Sequence, residues 1–267
     1  MKKGVNGMNN RGISNLAIVS NKAVIEDNVT IGPFSIIEDN VVIKRGTIIE
    51  DNVLVKEWTV IGEKNRICHS ALIGGLPQDL KFQGVRSGVV IGNNNVIREF
   101  VTIHRATTEN QNTVVGNNCF LMAYVHIAHD CIIGNNVIIA NATQLGGFVR
   151  VEDYAFLSAL IPIHQFSTIG GYSIVGGGYR VVKDVLPYAL AGGEPLKIYG
   201  LNIVGLKRNN FNKQTIELLS KAFAIILDKG LNTAQAVEKI TEELPQTKEI
   251  KNLIRFIKES RRGIVKG

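Results

Sequence analysis

An aliphatic residue recurs at every sixth position from Val19 to Val181, and this single regularity excludes most folds. The series runs through Val19, Ile25, Ile31, Ile37, Ile43, Ile49, Val55, Ile61, Ile67 and Ile73, and resumes at Val85, Ile91, Ile97 and Ile103. It continues through Val115, Leu121, Ile127, Ile133, Ile139, Leu145, Val151, Leu157, Ile163, Ile169, Val175 and Val181. Of 28 slots, 26 are aliphatic and only Asp79 and Glu109 are not, whereas a hydrophobic content of 45% would fill about 13 by chance. An amphipathic helix needs apolar positions three and four apart, and a half-buried strand needs simple alternation; a period of six satisfies neither. It suits a solenoid of short flat strands, in which each hexad is one side and three hexads make a triangular coil of ~18 residues. Every aliphatic then stacks on its equivalent in the next coil. The slots correspond to about nine coils, a prism about 45 Å long at roughly 4.8 Å per coil. Glycine often follows the aliphatic, as at Gly32, Gly62, Gly92, Gly116 and Gly146, which predicts corners of unusual φ/ψ there. The fourth position after it is small or β-branched, as at Ala23, Ser35, Thr47, Thr59 and Ala71.

The repeat is broken twice. Residues 74–84, Gly-Gly-Leu-Pro-Gln-Asp-Leu-Lys-Phe-Gln-Gly, read as a loop that replaces one coil's worth of chain, and loops on rigid scaffolds tend to carry function. The second break, Ala106 to Asn112, is polar and less informative. On this reading residues 1–16 are an N-terminal tail, with Met1 or Met8 as the start, and 17–186 form the β-helix. Residues 187–211, rich in Gly and Pro, form an extended linker, and 212–267 form a helical domain. Three helices are expected, near 212–229, 233–244 and 248–262, with Asn212 and Thr233 as N-caps, Gly230 as a stop and Pro245 between the last two.

The net charge is +7. From Lys197 onward there are 14 Lys and Arg against 7 Asp and Glu, so the whole excess lies in the C-terminal part and the solenoid is near neutral. A basic helical domain implies an acidic partner: a carrier protein, nucleic acid or anionic lipid. The chain has no apolar run of membrane-spanning length, and Met1 to Asn15 lack the apolar core of a secretory signal. The three cysteines have no metal-site spacing and read as core residues in a reducing cytoplasm.

Four of the five histidines, His104, His126, His129 and His164, fall within three to four coils. Gly147 follows His129 by three full hexads, so it is expected one strand spacing above the imidazole. A base beside an unobstructed backbone N–H is a workable pair for acyl transfer. Residues 129 and 130 are adjacent, and neighbouring side chains on a flat strand point opposite ways, so a direct His129–Asp130 pair is not expected.

In order and spacing, Pro77-Gln78-Asp79-Leu80-Lys81, Val101-Thr102-Ile103-His104-Arg105, His126-Ile127-Ala128-His129-Asp130-Cys131, His164-Gln165-Phe166 and Gly205-Leu206-Lys207-Arg208 resemble the acyl-[acyl-carrier-protein]:UDP-N-acetylglucosamine O-acyltransferases. Those enzymes begin lipid A synthesis. The resemblance covers nearly the whole chain. It implies a left-handed parallel β-helix with a C-terminal α-helical domain, a cytoplasmic homotrimer with sites between prisms, and no cofactor or metal. The acyl donor is carried on the phosphopantetheine of acyl carrier protein, and neither nucleic acid binding nor stable membrane insertion is implied. By resemblance, His129 is the general base toward the sugar 3-hydroxyl, Asp130 its assistant and Gly147 the oxyanion donor. Gln78, Asp79 and Lys81 hold sugar and phosphate, and His104, His126, His164, Gln165, Asn202 and Arg208 contact substrate. Gly177 leaves room for a longer acyl chain. Three positions depart from the family pattern: Phe148 replaces a histidine, Val204 an acid and Asn209 an arginine. These bear on nucleotide binding and on whether the acceptor is a hydroxyl or its 3-amino analogue.

Three rival readings share the repeat. The sister N-acyltransferase carries a large N-terminal uridine-binding domain, which the short stretch before the first coil cannot supply. A zinc hydratase of the gamma-class carbonic anhydrase type would use His104, His126 and His129. A non-enzymatic scaffold would leave the histidine cluster unexplained.

Overall fold

The computed structural model describes residues 12–267. Both candidate starts and most of the expected N-terminal tail lie outside the described residues.

From Ile18–Val19 to Ile174–Val175 the chain forms 24 short strands, mostly of two residues, which build three parallel sheets of eight coils. In the regular part each strand pairs with the one three hexads on, as Ile18 with Ile36 and Ile132 with Arg150. The result is a left-handed parallel β-helix followed by helices. Slot residues Ile31, Ile43, Ile61, Ile97, Ile127 and Ile139 are fully buried, and each contributes about 1.5–3 kcal/mol by leaving water. Ser35, Thr47 and Thr59 are fully buried at the corners, where the Thr47 hydroxyl donates to the Gly62 carbonyl at 2.8 Å. The repeat also starts earlier than expected, because Ile13 bridges Ile31 in parallel.

Two expectations about the coil are corrected. Apart from Gly74, whose φ is 83° at the start of the first loop, the left-handed backbone falls on the third residue after the aliphatic, not on the glycine that follows it; Asn28, Asn40, Asn52, Phe100, Tyr124, Asp130 and Phe148 all have φ between 56° and 63°. Asn and Asp tolerate that region best, and the corner geometry imposes it on the aromatics. The glycines serve close approach instead: a Cβ on Gly62 would sit 2.4 Å from the Gly92 carbonyl oxygen in the next coil. The breaks, moreover, are insertions. Leu72 pairs with Thr102 and Thr59 with Val89, five hexads on rather than three, so the first loop adds two hexads to a coil instead of replacing one. Thr102 pairs with His126, four hexads on, so the second loop adds one. Asp79, Val85 and Glu109 therefore lie in loops, which is why there are eight coils of strands and not nine.

The 187–211 segment is more ordered than a linker. Ala189–Gly192 extends one sheet in parallel to Ile174–Val175, and Lys197–Leu201 returns antiparallel to it. A short helix α1 (Ile203–Arg208) follows, then α2 (Lys213–Leu227), α3 (Thr233–Glu243) and α4 (Lys248–Glu259). Asn212 caps α2 as expected, but α3 is capped by Asn232, whose side chain accepts from the Gln235 N–H; Thr233 is the first helical residue. Leu219, Phe223 and Ile226 of α2, Ile240 of α3 and Leu253 and Ile257 of α4 form the helical core at helical spacing. Buried Asp184 joins prism to helices, accepting from the Thr168 N–H at 2.7 Å and the Ser260 hydroxyl at 2.6 Å. The hairpin and helices thereby cover the C-terminal end of the prism, an edge that would otherwise invite further strand pairing.

Candidate active site

One sheet of the prism contains the strands Thr102–His104, His126–Ile127, Gln144–Leu145 and Pro162–Ile163 in consecutive coils, so their outward residues form a ladder. His126 lies on its strand in register with Thr102 of the preceding coil, whose hydroxyl lies 2.7 Å from His126 Nδ1. The His104 ring meets the His126 ring edge-on at 4.7 Å and packs against Gly75, where an added Cβ would lie 2.9 Å from His104 Cδ2. Burial, with the nearby His126 and His129, lowers the His104 pKa to about 4, and burial with His129 lowers that of His126. Both imidazoles are therefore held neutral near pH 7.

His129 and Asp130 occupy the corner that follows this sheet. Their side chains do meet: His129 Nδ1 donates to Asp130 Oδ2 at 2.7 Å. Opposite orientation fails because residue 130 is not on a strand. Its φ of 60° reverses the chain and swings the carboxylate back over its neighbour. Both side chains are about nine-tenths buried. The carboxylate also accepts from Thr107, at 2.7 Å from the hydroxyl and 3.1 Å from the N–H, and the Asp130 N–H donates to Thr113 Oγ1 at 2.8 Å.

Gly147 lies one coil further, as the hexad arithmetic predicts. A Cβ there would be 2.4 Å from His129 Cε1 and 2.7 Å from Nε2, so only glycine leaves the imidazole its place. The Gly147 N–H has no acceptor among the described residues, whereas its carbonyl takes the Phe166 N–H at 3.0 Å. Phe148 stands edge-on to His129 at 5.4 Å and stacks on Phe166 at 4.8 Å, so the departure at 148 gives the imidazole an apolar wall.

The other expected residues are distributed more widely. Gln78, Asp79 and Lys81 project on the first loop. The Asp79 carboxylate accepts from the Lys81 N–H at 2.9 Å, while the Gln78 amide and the Lys81 ammonium have no partner among the described residues. The loop's Phe82 lies 5.8 Å from the buried Arg105 guanidinium, itself paired with Glu57 at 3.1 Å. His164 and Gln165 sit two coils beyond His126 on the same sheet side, and His164 Nδ1 donates to the Gln165 carbonyl at 3.0 Å. Asn202 is the N-cap of α1, accepting from the Gly205 N–H at 3.0 Å, so its side chain is committed locally. Arg208 is exposed in the last turn of α1. At the other two departures, Val204 is exposed and the Asn209 amide donates to the Gly205 carbonyl. Gly177 follows a strand of a different sheet from His129 and so lies on another edge of the prism.

Sequence reasoning does not assign a role at the site to Thr107, Thr102, Phe166 or Glu57. Thr102 is the one with a usable signal, since it shares the register of His126; Thr107 has none, because the path of an irregular loop leaves no periodic trace. The zinc arrangement is not formed: among the described residues no group of three His, Cys, Asp or Glu is placed to hold a metal ion. His129 Nδ1 is taken by Asp130, and His126 Nδ1 by Thr102.

Two family models match the chain: Udp N-acetylglucosamine O-acyltransferase, domain 2, over 184–265, and bacterial transferase hexapeptide (six repeats) over 22–57 and 112–147. An acyl-[acyl-carrier-protein]–UDP-N-acetylglucosamine O-acyltransferase of Thermodesulfovibrio yellowstonii is 49% identical over 253 residues, 94% of this chain and 98% of that protein. One from Myxococcus xanthus is 41% identical over 206 residues, 77% of this chain and 80% of its own length. The crystal structure of LpxA, a UDP-N-acetylglucosamine acyltransferase from Bacteroides fragilis, superposes with a TM-score of 0.92 at 43% identity, covering 95% of this chain and 99% of that one. The Francisella novicida UDP-N-acetylglucosamine acyltransferase gives 0.92 at 38%, covering 96% and 94%. With its repeat, its helical end and its His129 corner all in place, this chain belongs to the acyl-[acyl-carrier-protein]–UDP-N-acetylglucosamine O-acyltransferase family.

Proposed function

We propose that the protein transfers a 3-hydroxyacyl chain from acyl carrier protein to the 3-hydroxyl of UDP-N-acetylglucosamine, the first step of lipid A synthesis. The observation that carries this reading is one corner: an imidazole with Nδ1 anchored on Asp130 and Nε2 beside a glycine whose N–H has no acceptor among the described residues. Anchoring Nδ1–H leaves Nε2 as the basic nitrogen. As the sugar oxygen attacks the thioester carbonyl, Nε2 takes its proton, and the tetrahedral oxyanion receives the Gly147 N–H. Collapse breaks the carbon–sulfur bond, and the phosphopantetheine sulfur leaves with the proton returned from His129. A positioned base contributes about 10²- to 10⁴-fold, and one oxyanion donor about 10²- to 10³-fold.

The neutral His104 and His126 suit hydrogen bonding to sugar hydroxyls without competing for the proton. Gln78 and Lys81, without side-chain partners among the described residues, suit the sugar and the diphosphate, and Arg208 suits a phosphate at the far end of the nucleotide; Asp79, His164 and Gln165 complete the contacts, while Asn202, held by the Gly205 N–H and the Tyr172 carbonyl, shapes that end of the site through α1 and does not bind substrate with its side chain. Gly177 lies on another edge of the prism, so a site that includes it and His129 requires neighbouring copies, which supports a homotrimer with clefts between prisms. The basic helical end supports an acidic carrier protein as donor. No cofactor is needed, because the carrier brings the activated acyl group. No helix of the described residues is long and apolar enough to cross a membrane, and we place the reaction in the cytoplasm.

The test is acyl transfer from a panel of hydroxyacyl carrier proteins to UDP-N-acetylglucosamine and to its 3-amino analogue. Wild type is expected to acylate the hydroxyl, and His129→Ala to lose at least about a hundredfold. Failure to acylate either acceptor, or a fully active His129→Ala, would sink the reading.

A further inference from the structure

We infer that Thr107 is a positioning residue that acts on His129 through Asp130, and that the second insertion exists to deliver it. The inference rests on the reading of His129 as the base. Among the described residues, the Asp130 carboxylate has only two hydrogen-bonding neighbours, His129 and Thr107. Thr107 contributes both of its donors: Oγ1 to Oδ2 at 2.7 Å, and the N–H to Oδ2 at 3.1 Å and Oδ1 at 3.2 Å.

Such a clamp fixes the rotation of the carboxylate. Asp130 sits at a corner where, among the described residues, the only other partner of its carboxylate is the imidazole it must orient, and its burial leaves little water to substitute. Without the threonine, the carboxylate could rotate and the imidazole could flip, which would exchange Nδ1 and Nε2 at the glycine. Thr107 is itself held firmly. The preceding Ala106 is fully buried, its N–H donates to the Gly88 carbonyl at 3.3 Å, and its carbonyl accepts the buried Ser87 hydroxyl. Arg105, immediately before it, donates from its N–H to the Gly75 carbonyl at 2.9 Å. Gly75 on one side, with Ser87 and Gly88 on the other, are the two roots of the first insertion. The two loops that interrupt the repeat are thus tied together, and the tie ends on the carboxylate that orients the imidazole. The hexad added between the Thr102–His104 strand and the next one gives the chain the slack to place Thr107 outside the corner, where a regular coil would have turned inward.

Thr107→Val removes the hydroxyl donor and keeps size and the N–H, whereas Thr107→Ser keeps the hydroxyl. Since one charge-assisted hydrogen bond is lost, kcat is expected to fall about tenfold or more, with KM for the sugar nucleotide within about twofold. Thr107→Ser is expected within about threefold of wild type. In an Asp130→Asn background, Thr107→Val should cost less than about twofold more, because the two act as one unit. Equal loss in that background, or no rescue by serine, would overturn the inference. Nitrogen-15 spectra of histidine-labelled protein provide a second readout that needs no turnover. Wild type and Thr107→Ser should hold His129 as the Nδ1–H tautomer, and Thr107→Val should show a mixture. An unchanged tautomer in Thr107→Val refutes the positioning role even if wild type transfers no acyl chain, an outcome that would separately defeat the assigned reaction.

Discussion

Gly147→Ala adds a single methyl group and should nearly abolish turnover. The new Cβ would lie 2.4 Å from His129 Cε1, against an ordinary contact distance of at least 3.4 Å, so imidazole and methyl must separate by about 1 Å. The imidazole is the part able to move, since residue 147 is fixed by backbone hydrogen bonds: the Phe166 N–H to its own carbonyl at 3.0 Å and the Phe148 N–H to the His129 carbonyl at 3.0 Å. Movement of the ring stretches the 2.7 Å bond to Asp130 and takes Nε2 away from the point where sugar and thioester must meet. A displacement of this size costs about a hundredfold in rate, and the strain of forcing a methyl into a filled site costs about 1–3 kcal/mol of stability. Steady-state transfer from a hydroxyacyl carrier protein, with circular dichroism to confirm that the coil persists, measures both. The loss should appear in kcat, and in a His129→Ala background, where the ring is gone, the added methyl should cost little more. Gly147→Ala with turnover within about threefold of wild type would refute the steric argument and the placement of the reacting centre beside this glycine.

Two further outcomes follow from the surroundings. The His104 pKa is about 4 in the fold and 6.5 when exposed, so unfolded chains bind a proton that folded ones refuse as pH drops from about 6.5 to 4. Stability from this group is complete above pH 6.5 and falls through that window by about 3 kcal/mol; urea midpoints across it should drop in wild type and less in His104→Gln, and equal slopes would contradict the assignment. Gly177→Met should shorten the preferred acyl chain in the carrier-protein panel, since a Cβ there already meets the Ala159 carbonyl at 2.9 Å and the longer side chain must project outward; an unchanged preference would remove Gly177 from the acyl groove.

Much of the fold was legible because a six-residue period admits few structures. The slot from Val19 to Val181 places Ile127, Ile133 and Ile139 in the core, and the step of one coil places Gly147 over His129, from residue order alone. Such inferences succeed because a solenoid makes position along the chain nearly proportional to position in space. They fail wherever the chain leaves the repeat. The corner conformation of Asp130, which joins it to His129, depends on a φ that residue type only weakly biases. The 187–211 segment forms a hairpin because a sheet edge is there to extend, a tertiary circumstance invisible to local composition.

The sequence by itself determined the prism, the basic helical end, and the identity of the imidazole and glycine that share a corner. Only the tertiary structure decided which side of the imidazole is anchored, that the loops are added to the coils, and that Thr107 closes on Asp130. The physical reason is the same in each case. Periodic burial is written into residue type, whereas the path of an inserted loop is set by hydrogen bonds to residues about twenty positions away, such as the Thr107–Asp130 clamp and the Ala106–Ser87 tie.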